Sequence, residues 1–272
     1  MTADRWTQVV RQQLGLGRLL PLGLARDGAW ITEDAAEQVL RRAAAGVPGV
    51  RLGRLRIALA DPDGPYAPAV PAPPSALAPG PLRVTAEFGA AAGLTALGGD
   101  SLPATADRLR LALSEAAAHR LGLEVSEVDL QVTDLLTESS AVTPKEGTEP
   151  SAGRVNDVGE AAGPEGAQGA GDAEGTKEPR EAKEPKDPEE ARIAAVVRAV
   201  PGVARLTDAL GRSVDISTPD GSDAAVPRRH VRVELAVSSD GRAVDVARAV
   251  RTAVAEAARD TPSVAVLVTA VG

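Results

Sequence analysis

Two histidines, His119 and His230, are the only candidates for an imidazole base in this 272-residue chain. Proton transfer near neutral pH needs such a group beside the reacting atom, usually oriented by a carboxylate or hydroxyl partner. His119 stands late in a helical pattern between Ala118 and Arg120, where a cation faces a helix C-terminus favourably. His230 follows Arg228-Arg229 at the start of a strand pattern. Neither has the sequence neighbours of a catalytic triad or of a metal-binding pair. The chain has no cysteine, which removes thiolate nucleophiles, disulfides and Cys/His zinc sites. Carboxylates pair at Glu33/Asp34 and Asp61/Asp63, but the first pair suits a helix start and the second a turn. Gly15-Leu16-Gly17 lacks the strand and helix of a dinucleotide-binding turn, and there is no phosphate-loop signature. These residues predict no catalytic group, no cofactor and no metal, hence a protein that is not an enzyme.

Two constellations are left as candidate contact sites. Arg228, Arg229 and Arg232, around His230, form a basic cluster able to meet an anion. An RNA-binding role through this cluster, on a KH-like arrangement, is the alternative reading. It lacks the G-x-x-G loop between helices and the stacking aromatics such a module needs, so nucleic acid is the less favoured partner. The second is the N-terminal segment, where Trp6, Val10 and Leu14 recur at helical spacing and Leu19 and Leu20 extend the apolar run. It either packs on the first module or is a candidate for contact with a protein partner or a membrane surface. No signal-peptide pattern opens the chain, and no apolar run approaches a membrane span, so a cytoplasmic protein is expected.

The elements that must carry these residues fall into three parts. Residues 137–187 contain no Leu, Ile, Met or aromatic residue and hold twelve acids against six bases, most of the chain's net charge of −8. Such a stretch cannot bury enough apolar surface to offset its ordering entropy, so a disordered acidic linker is expected. Only four aromatics (Trp6, Trp30, Tyr66, Phe88) occur, and the cores must rely on Ala, Val, Leu and Ile.

Before the linker, Gly28–Ile31 reads as a short strand and Thr32 as the N-cap of a helix ended by Gly46 and Pro48. Leu55, Ile57 and Leu59 alternate as a strand, and so do Leu82, Val84, Ala86 and Phe88. A helix from Ser101–Pro103 to Gly122 and a strand through Val128, Leu130 and Val132 follow. After the linker, Asp187 caps a helix, strands are expected near Ala204–Ile216 and Val231–Val237, and a helix covers about Arg242–Ala258. In Val231–Val237, Arg232 and Glu234 point outward. Val264–Val271 is apolar on both faces, as a central strand requires.

Short matches recur in the same order: VPGV at Val47–Val50 and Val200–Val203, LSEAA at Leu113–Ala117 with VAEAA at Val254–Ala258, and VDLQVTDL at Val128–Leu135 with VAVLVTAV at Val264–Val271. The expected fold is α/β (α+β): two small αββαβ modules, each a three-stranded sheet, with or without a short N-terminal strand, covered by two helices. The expected segments are 1–27 (N-terminal amphipathic), 28–136 (first module, with a Pro-rich loop at 61–81), 137–187 (linker) and 188–272 (second module).

This order resembles the alkaline shock protein family of bacterial envelope-stress proteins. The resemblance is carried by Ile31-Thr32, Val47-Pro48-Gly49-Val50, Phe88-Gly89 and Gly122-Leu123 before Val128–Val132, and it covers 28–136 better than 188–272. It implies a cytoplasmic scaffold or adaptor that self-associates and is recruited to the membrane by an anchored partner, with no catalytic residues. The chain departs from the pattern in its two copies, its Pro-rich insertion and the missing Phe-Gly step of the second copy.

Overall fold

The computed structural model describes residues 17–91, 101–136, 187–218, 229–258 and 260–272. Within them the chain forms four helices and two sheets, a mixed α/β arrangement. Strand β1 (Leu19–Pro21) and strand β2 (Ala29–Thr32) flank a short 3-10 turn. Helix α1 (Glu33–Ala45) starts where the sequence expects it, with Thr32 Oγ1 accepting from Ala35 N at 3.3 Å. Glu37 and Arg41 pair one turn apart on its exposed side. Strands β3 (Val50–Leu59) and β4 (Leu82–Ala91), helix α2 (Leu102–Glu115) and strand β5 (Val125–Leu136) follow. Next come helix α3 (Pro188–Arg198), strands β6 (Val203–Leu206), β7 (Val214–Ser217) and β8 (His230–Val237), helix α4 (Ala243–Ala257) and strand β9 (Ser263–Val271).

One sheet has three strands in the order β3-β4-β5; the other has six, β1-β2-β9-β8-β6, with β7 also on β8. The parallel pairs β4/β5 and β8/β9 are joined through α2 and α4, the crossover that parallel pairing demands. Strand β9 lies between β2 and β8, which accounts for its apolar residues on both faces.

The N-terminal strands belong to the sheet that the C-terminal part builds. Strand β2 runs parallel to β9, with Trp30 opposite Leu267. The single strand expected at Ala204–Ile216 is two, β6 and β7, end to end along one edge of β8. Thr207 N donates to Glu234 O and Glu234 N donates to Ser213 O, so the chain leaves the ladder between these points and folds over the sheet.

The Pro-rich stretch 61–81 lies across the outer face of the six-stranded sheet. Val70 packs there with Leu19, Trp30, Ala265 and Leu267, Trp30 Nε1 donates to Leu77 O (3.4 Å), and Leu77 N donates to Leu19 O (2.8 Å). The other face carries one continuous core that joins α1, β3, β4 and α2 with α3, α4, β8 and β9. Side chains there are mostly Val, Leu and Ala, each large one contributing about 1.5–3 kcal/mol on full burial. Polar ties also cross between the parts: Arg242 Nε donates to Ala118 O (2.9 Å) and Gly23 N to Gly122 O (3.1 Å). Gly122 ends the turn Ala116–Leu121 at φ 87, and a Cβ there would collide with Val244.

Candidate functional site

The titratable residues singled out by sequence are spread over separate elements and do not converge on one site. His119 is exposed at the end of the α2 segment. His230 opens β8 and is buried, with Nδ1 2.9 Å from Ser263 Oγ on the neighbouring β9. Burial holds its pKa below the usual histidine value; Arg232 adds to this, and Asp215 and Ser263 oppose it. Glu33 accepts from Arg18 at 2.8 and 3.1 Å. Burial would raise the Glu33 carboxyl, but Arg18 and backbone donors outweigh it and leave its pKa lowered. Asp34 beside it is raised by burial and by Glu37 and Glu33. Asp61 Oδ1 accepts from Asp63 N at 3.2 Å, the turn expected of that pair.

The basic cluster is not a free platform. Arg229 pairs with Glu189 (2.9 Å) and Asp260 (3.3 Å), while Arg232 approaches Asp215 (3.6 Å) and Glu234 (3.4 Å). Arg228 lies outside the described residues. For Leu19 and Leu20 of the N-terminal segment, packing within the fold holds and the contact alternative does not. Leu19 and Leu20 are 2% and 0% exposed in β1, because pairing with β2 and the cover of the Pro-rich loop enclose them. They are core residues in this structure, not surface contacts. Trp6, Val10 and Leu14 lie outside the described residues.

Three features escaped the sequence reading. Glu234, expected outward, is 0% exposed, because the excursion between β6 and β7 closes over it and Leu210 N donates to Oε2 at 2.8 Å. Its Oε1 has no hydrogen-bond partner, and burial pushes its pKa up to about 7. Asp27 receives two hydrogen bonds from Arg248 of α4, at 2.7 and 3.1 Å. Burial would raise Asp27, but Arg248 and Leu24 N overcome it and hold its pKa below the ordinary range. The third feature is β5. It pairs with β4 along one edge, and its Val132 and Leu135 are 38% and 60% exposed. Leu111 of α2 is also exposed. Alternation alone marks one face of β5 as apolar but does not show that, among the described residues, Val128 and Leu130 are partly covered while Val132 and Leu135 are left exposed.

Among the described residues no group of three or more His, Cys, Asp or Glu could hold a metal ion, and no helix is long and apolar enough to cross a membrane. No family model, curated protein or solved structure matches this chain.

Proposed function

We propose that this protein is a non-enzymatic scaffold or adaptor built from two αββαβ modules, akin to the alkaline shock proteins of the envelope stress response. In this reading it works in the cytoplasm through protein–protein contacts, one partner being membrane-anchored. The observation that carries it is β5: twelve residues long, bonded on one edge, with large apolar side chains left in solvent. An exposed edge of this kind is a template for another chain. The ionisable side chains supply further support, because Arg229, Arg232 and His230 are committed to partners within the fold.

The recurrence of a helix, antiparallel strands, a crossover helix and a last parallel strand on both sides of residues 137–187 supports the duplicated reading. The test is affinity capture of the full chain from its own cells, comparing wild type with Leu135→Glu. A partner retained by wild type and lost by the variant is the expected result. Equal capture by both, or a turnover abolished by His230→Gln, would overturn the proposal.

A further inference from the structure

The sides of the crossover strands and of β3 are met by different means. On β3, the Arg18–Glu33 pair occupies the edge at Ile57: Arg18 donates to Ile57 O at 2.7 Å, and the Glu33 carboxylate accepts from the Ile57 backbone. On β8, the edge away from β9 is shared by β6 and β7. The edge of β9 away from β8 is filled by β2. Strand β5 stands where β9 stands in the order of elements, last and parallel to its neighbour, yet its second edge is unpaired among the described residues.

We propose that the free edge of β5 is a self-association surface. A second copy of the chain docks antiparallel along Val125–Leu136 about a two-fold axis at Leu130, fusing two three-stranded sheets into one. This rests on the scaffold reading and names one partner for its open edge.

The backbone direction fits. Arg110 Nε reaches Val128 O at 3.4 Å from outside the sheet. The backbone groups of Val128 therefore face away from β4, and by the two-residue repeat of a strand so do those of Leu130 and Val132. An axis at Leu130 lets these outward groups bond to their counterparts: Leu130 with Leu130 of the second copy, and Val128 with Val132.

The side chains select the same register. An axis at Leu130 sets apolar residues opposite apolar ones on the helix side. On the other side Asp129 meets Gln131 and Glu127 meets Thr133, with no like charges opposed. Moving the axis to Asp129 opposes Asp129 to itself. Moving it to Val128 opposes Glu127 to Asp129, and moving it to Gln131 sets Val128 against Asp134 and Glu127 against Leu135. Within each copy Arg83 already neutralises the acidic side, at 2.6 Å from Glu127 and 3.6 Å from Asp129. Among the described residues, the weak Arg110 contact is what the second copy must displace to enter.

The test is sedimentation velocity of the full chain, with matched thermal unfolding to confirm that variants fold. Wild type should dimerise reversibly. Gln131→Glu, on the exposed face, opposes a carboxylate to Asp129 twice across the axis and should weaken the dimer about tenfold. Adding Asp129→Lys to Gln131→Glu should restore it. Because the chain has no cysteine, Leu130→Cys should oxidise to a disulfide-linked dimer, while Thr133→Cys, which would face Glu127, should not.

A wild-type chain that stays monomeric up to about 100 µM would overturn the inference. Indifference of the dimer to Gln131→Glu, or equal cross-linking at the two cysteine positions, would do the same. A monomeric chain that still loses its partner on Leu135→Glu would remove self-association and leave the scaffold proposal standing.

Discussion

Replacing Glu234 with glutamine should change the way stability depends on pH more than stability itself. The carboxyl is fully enclosed and its pKa rises from an ordinary 4.5 to about 7. The folded protein therefore holds its proton in a range where the unfolded chain has released it. The favourable contribution is complete below about pH 4.5 and is lost as pH rises to about 7, beyond which both states are ionised and the loss stays constant. An interval of about 2.5 pH units at about 1.36 kcal/mol each corresponds to roughly 3 kcal/mol. Arg232, Asp208 and Asp215, which also act on this carboxyl, are untouched by the substitution, so the difference between variant and wild type isolates Glu234. Glutamine keeps an acceptor for Leu210 N but leaves its new N–H groups short of partners, costing about 1–3 kcal/mol at every pH. Urea unfolding followed by far-UV circular dichroism, repeated from about pH 5 to about pH 8, measures the difference. The variant should be less stable at the acid end and should gain on wild type steadily as pH rises. A difference that does not move with pH would refute the reasoning, because it would mean that Glu234 titrates alike folded and unfolded.

His230 acts at the opposite limb: its folded pKa is lowered, so stability falls as pH drops below the ordinary histidine value, and His230→Gln should flatten that acid-side slope in the same urea series. Arg248→Gln breaks the two hydrogen bonds to Asp27, and leaving that buried carboxylate underpaired should cost about 1–3 kcal/mol in the urea midpoint. Gly122→Ala puts a side chain at φ 87 against Val244 and should cost roughly 2–4 kcal/mol, read as a lowered thermal midpoint. Phe88→Ala, which empties a fully buried site on β4, should cost about 3–5 kcal/mol in the urea midpoint.

Local signals in the sequence found most of the elements. Thr32 and Asp187 each cap the helix they were expected to cap, and Ser101 caps the helix expected to begin near it, because an N-cap needs only a side-chain oxygen and the next few amides. The both-face apolar pattern of Val264–Val271 placed β9 inside its sheet. What escaped depends on residues far apart in the chain. Nothing around Leu19 and Leu20 tells that a strand many residues later will pair with β2, or that residues 61–81 will cover them. An apolar stretch looks the same whether it meets a membrane, a partner or its own core. Glu234 fits an alternating pattern with one wet face, and only the excursion between β6 and β7 makes that face dry. The β5 edge is the reverse case: its alternation is plain in the sequence, but whether an edge is filled is decided by every other strand.

The edges also bear on the proposal that this molecule works through contact. A chain with so few aromatics gains its stability from many small contacts, and sheets suit it because each strand adds backbone bonds that do not depend on side-chain size. The cost is that every sheet ends in unpaired N–H and C=O groups that invite pairing with other chains. Some of these groups are met internally: an Arg–Glu pair caps the β3 edge at Ile57, while β6, β7 and β2 flank β8 and β9, which leaves β1 and β6/β7 as the ends of the six-stranded sheet. At β5 the protection among the described residues is a single arginine contact to one carbonyl, while Glu127, Asp129 and Asp134 are neutralised by Arg83 and Arg51 from within the sheet. Internal neutralisation lowers the electrostatic barrier to a second strand without covering the ladder. A strand that only needed to stay solitary would be better served by unpaired charge along its rim, so the arrangement favours a strand that is met by another chain.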